Sequence, residues 1–361
     1  MIWQELEGRR MDRYARQTRL PEVATAGQKR LGRSRVLVVG VGAIGSSAAE
    51  WIVRMGVGVV HVVDRDVVDL TNLHRQSLYA ESDVGASKAE AAAARLSSIN
   101  REVRVIPHAI DLDGESLRRL LNEIDLVIDG TDNAETRYVI NDGCVEHGLP
   151  WIMGAALGRD GRVAMMRGHR PGVGAGLGSI DKSAGACLRC IYPSAPVAGE
   201  LPTCESAGVL PGLVGMVGSM QASVAMRWLI SGEFVDRLWA IDGWSLRVRE
   251  IDLTDARRAD CPCCGLGRYE FLDRPTSASA KLCGRGAVQV RPAAVTRIDL
   301  MTLSERLARL GVIVKSDLML KFSPHEQPKL SMNLFADGRM ILFGTEDRAE
   351  ARSFYARDVG A

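Results

Sequence analysis

Neither sign of charge prevails in this sequence. Forty-six Lys and Arg face 44 Asp and Glu, a net charge of +2. No overall field therefore points to a nucleic acid or a membrane surface, and only a local basic patch is left as a route to either. Cysteine is sparse, eight in 361 residues, which excludes a disulfide scaffold. Repeats and low-complexity tracts are missing. The opening MIWQELEGRRMDRYARQ lacks the apolar core of a secretory signal. One long uncharged run exists, over residues 206–226, but Pro211, Gln221 and four glycines interrupt it. A buried helix is expected there rather than a membrane span. What remains is an ordinary globular composition, 46% apolar and 25% charged, with chain enough for about two domains. A cytoplasmic enzyme is the expectation.

From residue 34 onward short β-branched runs alternate with helical patterns. Strands are expected at 35–40 (RVLVVG), 57–64 (VGVVHVVD), 103–108, 125–129 (DLVID) and 150–154; helices are expected at 43–55, 87–99, 114–123 and 134–147. Continuous apolar strands between helices predict an α/β fold with a mostly parallel, doubly wound sheet. Past residue 158 the character changes: glycine and proline crowd residues 168–202, and a long, partly irregular segment is expected there. It is followed by a helix at 208–230 and two strands around a turn at Asp242-Gly243. DRPTSASA at 273–280 reads as a linker. Beyond it a small α+β unit is expected, with a helix at 303–310 and strands at 312–315, 318–322, 329–335 and 339–343.

Chemistry enters at Gly40-Val41-Gly42-Ala43-Ile44-Gly45, between an expected strand and helix. Such glycines let backbone amides approach a phosphate at a helix N-terminus. Asp64 stands at the end of the next strand, where a carboxylate binds ribose hydroxyls. A nicotinamide dinucleotide and ATP satisfy this pattern equally. Asn72, Arg75, Gln76 and Lys88 follow and favour a triphosphate, whose charge cations neutralise. Lys88 opens a helix, an unfavourable place for a cation, and a phosphate is one reason for it. Asp132, just beyond the fourth strand, stands where it can hold Mg²⁺ or cap the helix that follows.

Two short cysteine pairs, Cys187/Cys190 and Cys261/Cys264, suit tetrahedral Zn²⁺ better than a redox site, because no thioredoxin-like helix follows either. Cys263 is an alternative ligand, and the spacing favours Cys264. Cys204 precedes the helix at 208–230 and is a candidate nucleophile. Cys144 is expected in the core, and Cys283 has no assigned role.

These motifs resemble the ThiF/MoeB/HesA adenylyltransferases, the bacterial relatives of ubiquitin-activating enzymes. The resemblance runs from about Met11 to Gly267, through RYARQ, GVGAIG, DRDVVDLTNLHRQ, VGASKAE, DGTDN, both cysteine pairs and CESAGVLPGLVGMVGSMQA. It implies a Rossmann-like homodimer that uses ATP and Mg²⁺ to adenylylate the C-terminal glycine of a ubiquitin-like sulfur carrier. It further implies ATP binding by Gly40, Gly42, Ala43, Gly45, Asp64, Asn72, Arg75 and Lys88, with Asp132 on Mg²⁺. Arg16 would reach the partner subunit's ATP site. Cys187, Cys190, Cys261 and Cys264 would hold structural zinc, and Cys204 would serve sulfur transfer in some members. A cysteine desulfurase or another sulfur donor is then an expected partner; nucleic acid and membrane are not. The expected divisions are an arm at 1–33, an adenylyltransferase domain at 34–267 and a small unit at 281–361. Fragments from about Tyr269 onward (FLDR, LCGRGAVQV, DGRMILFGTEDRAEARSFYA) resemble the tail of longer ThiF-type proteins linked to thiamin biosynthesis, not a rhodanese domain. A ThiS-like carrier is therefore expected. MoaD-like or tRNA-thiolation carriers are the alternatives. An NAD-dependent oxidoreductase and a non-catalytic scaffold for a ubiquitin-like protein are the rivals from other classes.

Overall fold

The β-branched runs of the first half build one sheet in a computed structural model that describes residues 12–167, 185–196, 207–274, 279–282, 286–291 and 297–360. Its alternation is β1 (Arg35–Val39), α2 (Ala43–Arg54), β2 (Val59–Val63), α3 (Lys88–Ile99), β3 (Arg104–His108), α4 (Gly114–Leu121), β4 (Leu126–Asp129), α5 (Ala134–His147) and β5 (Pro150–Leu157), with α1 (Ala24–Leu31) ahead of it. Strand order is β3-β2-β1-β4-β5, and β2, β1, β4 and β5 pair in parallel. Both faces are buried. Val36, Val38, Leu126 and Ile128 join α2 and α3 in one core, while the alternating Leu37, Val39 and Val127, also buried, face the other way.

The sheet is parallel-dominant, as expected, and an antiparallel part extends it. β5 turns at Gly158, whose φ is +58°, into β6 (Asp160–Arg167), and β7 (Arg237–Asp242) and β8 (Arg247–Asp252) follow, all antiparallel. The run DGRVAMMR is therefore a strand beyond those expected above. Its polar, glycine-bearing start hides the alternation that a half-buried antiparallel strand needs.

The uncharged run forms α7 (Pro211–Ser231), preceded by the short α6 (Leu188–Ile191). Helix α7 begins at Pro211 rather than at 208, because proline sits well at the first helical position and Gly208 adopts φ +72°. It is the one described helix long and apolar enough to cross a membrane. Here it packs inside the unit: a side chain at Gly218 would meet Ile44 O at 2.6 Å, and Val217 joins the main core.

The chain divides into two compact units, Met1–Pro107 with Asp111–Arg274, and His108–Ile110 with Pro275–Ala361. The second carries β9 (Ser279–Leu282), β10 (Ala287–Val290), α8 (Leu300–Leu307), β11 (Gly311–Lys315), β12 (Met319–Pro324), β13 (Ser331–Phe335), β14 (Met340–Phe343) and α9 (Arg348–Asp358). Its strands form an antiparallel sheet in the order β11-β12-β13-β14-β10-β9. Leu320, Phe322, Met332, Leu334 and Leu342 pack beneath Leu303, Leu307 and Phe354. Helix α8 starts three residues before the expected 303, because the Asp299 side chain accepts the Met301 and Thr302 amides and caps it there.

Candidate functional site

The order β2-β1-β4 places the ends of three parallel strands side by side, at the point where successive connections depart in opposite directions. Ligands of such sheets bind at that edge. Here β1 runs into Gly40, whose φ of +80° only glycine adopts easily. A side chain at Gly45 would lie 1.8 Å from Gly40 O, and one at Gly130 would lie 2.4 Å from it. Two glycines thus let the first turn, α2 and the loop after β4 press together. Gly42 differs, for among the described residues a side chain there would meet Gln76 Nε2 alone, at 3.7 Å. Its missing side chain leaves open room over the first turn of α2. That turn has no side-chain cap and no acidic residue, so its free amides face the space that Gly42 opens.

Asp64 lies beneath the same turn. Its Oδ2 accepts the Val41 amide at 2.9 Å and its Oδ1 accepts the Asp66 amide at 2.8 Å. Burial raises its pKa, against the lowering pull of the Lys88 ammonium. Lys88 is itself buried at the start of α3, with Nζ 3.4 Å from Asp66 Oδ2. The cation at a helix N-terminus thus already has a carboxylate partner, and phosphate is not the only reason for its position. The Tyr79 hydroxyl touches both Val41 O, at 2.8 Å, and Lys88 O, at 3.3 Å, joining the glycine turn to α3. Gln76 is buried, with no partner on Oε1 among the described residues. Asn72 is buried, and its Oδ1 accepts the Asp69 amide at 3.3 Å.

Other expected residues stand further apart. Arg75 folds back onto Thr71 O, 2.8 Å away. Asp132 is exposed two residues past Gly130. The capping role weighed for it belongs to Asn133, whose side chain accepts the Glu135 amide at 2.8 Å. Arg16 is exposed, without a hydrogen-bond or ion-pair partner among the described residues. Its neighbours are anchored: Asn100 Nδ2 donates to Tyr14 Oη at 2.8 Å, and Gln17 donates to Met55 O at 2.9 Å. Cys204 and Cys283 lie outside the described residues.

The four paired cysteines form a closed second site. Their Sγ atoms all lie within 4.8 Å of one another and are buried. Cys187 is 3.9 Å from Cys190 and 3.6 Å from Cys261, and Cys190 is 3.3 Å from Cys264. A tetrahedral ion bound by four thiolates has sulfur–sulfur edges of about 3.8 Å, so the donor set fits such an ion. Cys263 stays outside the four and accepts Asn141 Nδ2 at 3.4 Å. Cys144 is fully buried as expected, and burial pushes its thiol pKa far up.

Sequence reasoning missed three residues at the sheet edge. Arg137 and Asp129 pair at 2.6 Å, and Gln221 donates to Asp129 O and Ile152 O. A lone amide within an apolar helix was the signal for Gln221. Arg137 had a weaker one, a cation in the first turns of a helix.

Known proteins resemble this chain in sequence and in fold. The ThiF family model matches residues 14–263. The sulfur carrier protein ThiS adenylyltransferase of Bacillus subtilis is 34% identical over 352 residues, 96% of this chain and 99% of that protein. The sulfur carrier protein adenylyltransferase of Thermus thermophilus is 39% identical over 267 residues, 73% of this chain and 93% of that one. The crystal structure of E. coli MccB with succinimide shares the fold, with a TM-score of 0.58 at 20% identity over 70% of this chain and 74% of that chain. With the family model matching residues 14–263, from the anchored arm through the glycine turn to Cys261, this chain belongs to the ThiF family.

Proposed function

We propose that this chain adenylylates the C-terminal glycine carboxylate of a small ubiquitin-like sulfur carrier protein. The observation that carries the reading is the uncapped start of α2. Its amides open onto the space above Gly42, with Asp64 beneath and Lys88 beside it. That is a seat for a polyphosphate with a ribose attached, at the switch point of a doubly wound sheet.

In this reading Gly40, Gly42, Ala43 and Gly45 form the phosphate turn. Asp64 takes the ribose, and Asn72, Arg75 and Lys88 take the phosphates. A carboxylate oxygen of the carrier attacks the α-phosphorus, the bond from that phosphorus to the β-phosphate bridge breaks, and pyrophosphate leaves. The protein supplies position and positive charge rather than a covalent partner. Mg²⁺, which Asp132 would hold, supplies charge neutralisation on the phosphates when bound. Arg16, projected from an anchored arm, acts on the site of a second copy in a homodimer. Zn²⁺ held by Cys187, Cys190, Cys261 and Cys264 is structural. Cys204 is the candidate for a later sulfur-transfer step fed by a cysteine desulfurase or a similar donor. Residues 34–267 form the adenylylating domain, with an arm at 1–33 and a unit at 281–361 of separate role, in a cytoplasmic enzyme.

A ThiS-like carrier, and with it thiazole formation in thiamin biosynthesis, is the favoured substrate. The similarity to the ThiS adenylyltransferase extends over 96% of the chain, and so takes in the C-terminal unit, while that to the Thermus thermophilus protein covers 73% of it. MoaD-like and tRNA-thiolation carriers are the alternatives. The test is ATP–pyrophosphate exchange with purified carriers ending in Gly-Gly. Exchange is expected with a ThiS-like protein and not with the same protein lacking its last two residues. No exchange with any carrier, together with nicotinamide dinucleotide binding, would overturn the reading.

A further inference from the structure

Asp129, the last residue of β4, is held from several sides. Its Oδ2 accepts Arg137 Nε at 2.6 Å. Its Oδ1 accepts the Thr131 amide at 2.9 Å and the Thr131 hydroxyl at 2.6 Å. Its carbonyl accepts Gln221 Nε2 at 2.8 Å. Arg137 reaches further, for its Nη2 donates to Thr131 O and to Gly154 O, each at 2.9 Å. One guanidinium therefore ties the end of β4, the loop that follows and the neighbouring strand β5. Asp129 is fully buried and the Arg137 side chain is 17% exposed, so solvent screens the pair little, and losing either partner leaves a buried charge alone.

The placement is costly for the helix. Arg137 lies near the N-terminus of α5, where the dipole disfavours a cation. Asp129 offsets that cost, and the bonds converge on the peptide groups just ahead of Asp132. The Gly130 amide is fixed on Val39 O at 2.8 Å. Both the amide and the carbonyl of Thr131 are taken by Asp129 and Arg137. Asn133 is fixed from the other side as the cap of α5. Asp132 is the exposed member of this braced loop.

We propose that Arg137 is a positioning residue for Asp132. It holds the loop so that the carboxylate meets Mg²⁺ at the nucleotide, and does not touch the nucleotide itself. The inference rests on the reading of Asp132 given above. It predicts that Arg137→Ala weakens the response to Mg²⁺ more than it slows the saturated reaction. Supporting residues around a metal ligand alter its affinity by about 10- to 100-fold.

The experiment compares wild type, Arg137→Lys, Arg137→Ala and Asp129→Asn. The Mg²⁺ dependence of carrier-dependent ATP–pyrophosphate exchange is read beside backbone amide exchange over residues 130–133. Arg137→Ala should raise the half-saturating Mg²⁺ about tenfold or more, change the rate at saturating Mg²⁺ less than about threefold, and speed amide exchange at 130–133. Arg137→Lys, which keeps the charge but not the fork, should fall between. If Arg137→Ala does not fold, Arg137→Lys and Asp129→Asn carry the same comparison. A folded variant with wild-type Mg²⁺ dependence and wild-type amide exchange overturns the inference. Faster amide exchange in the variant without any Mg²⁺ dependence in the wild type leaves the clamp standing and overturns the role of Asp132. Faster amide exchange with an unchanged Mg²⁺ curve overturns the link between them.

Discussion

The glycine turn and the cysteine cluster belong to one compact unit, yet they are built on opposite plans. At the glycine turn, polar groups are left over: the first amides of α2 have no cap, and Gln76 Oε1 has no partner among the described residues. At the cluster the four sulfurs face one another, all buried, and the surrounding groups close around them. Asn141 Oδ1 accepts the Leu188 amide at 2.8 Å, and buried Arg189 pairs with Asp142 and Glu270. An exchangeable ligand needs donors kept open, whereas a permanent ion needs donors turned inward and sealed. In the reading proposed above, the open site is the one that turns over and the closed site the one that holds.

The strongest way to break the contrast is Arg16. It is exposed and lies outside both sites, so its loss should leave folding unchanged. Arginines that stabilise phosphate charge from a neighbouring subunit are worth about 10³-fold or more in rate. Arg16→Ala and Lys88→Ala should each be nearly inactive, and mixing them should restore part of the exchange activity in mixed dimers. Mixed dimers that stay inactive would remove the action in trans. Next is Asp132→Ala, expected to lower exchange by about 10²- to 10³-fold at an unchanged melting temperature, because the side chain is exposed and caps nothing. Wild-type exchange in that variant would take Asp132 out of the mechanism.

Chelation addresses the sealed site. Freshly purified, reduced protein should carry one zinc per chain, measured by elemental analysis. Its removal should cost about 3 kcal/mol, seen as a melting temperature lower by about 10 °C. Protein that is folded and free of metal would end the structural role. The finest test lies inside the glycine turn. Gly45→Ala forces a contact with Gly40 O and should destabilise by about 1–3 kcal/mol in chemical denaturation. Gly42→Ala has room, so it should cost about 1 kcal/mol or less; the loss should fall on ATP binding instead, measured by calorimetry. Equal stability losses in the two variants would erase the distinction between a packing glycine and one that leaves space for a ligand.

Much of the open site was legible because its signals are local. Gly40 to Gly45 is one turn, and Asp64 follows at the end of the next strand, so chain order alone brings them together. The cysteine spacing favoured Cys264 over Cys263, and Cys264 is the one within the cluster. What stayed hidden depends on distant pairing. Gln221 reaches Asp129 across 92 positions of sequence, and no periodicity encodes that. Strand β6 depends on β5 and β7 for its partners, and its sequence lacks a clean alternation. Helix α9, in the C-terminal unit, was not expected at all. Its charged run ARSFYARD hides the few apolar residues, Phe354 and Tyr355 among them, that it buries.

Helix α5 serves both plans at once. Arg137 near its start braces the loop that carries Asp132. One turn further on, Asn141 and Asp142 hold the segment around the cysteines, with Asp142 Oδ2 also accepting the Phe271 amide at 3.2 Å. Arg137 and Asn141 are four positions apart and so lie on nearly the same side of the helix. Adding or deleting a single residue between them would swing one end by about 100° against the other. This stretch should therefore reject length variation that surface loops absorb freely, and among natural or engineered versions of the chain the interval from 137 to 141 should keep its length even where its side chains change.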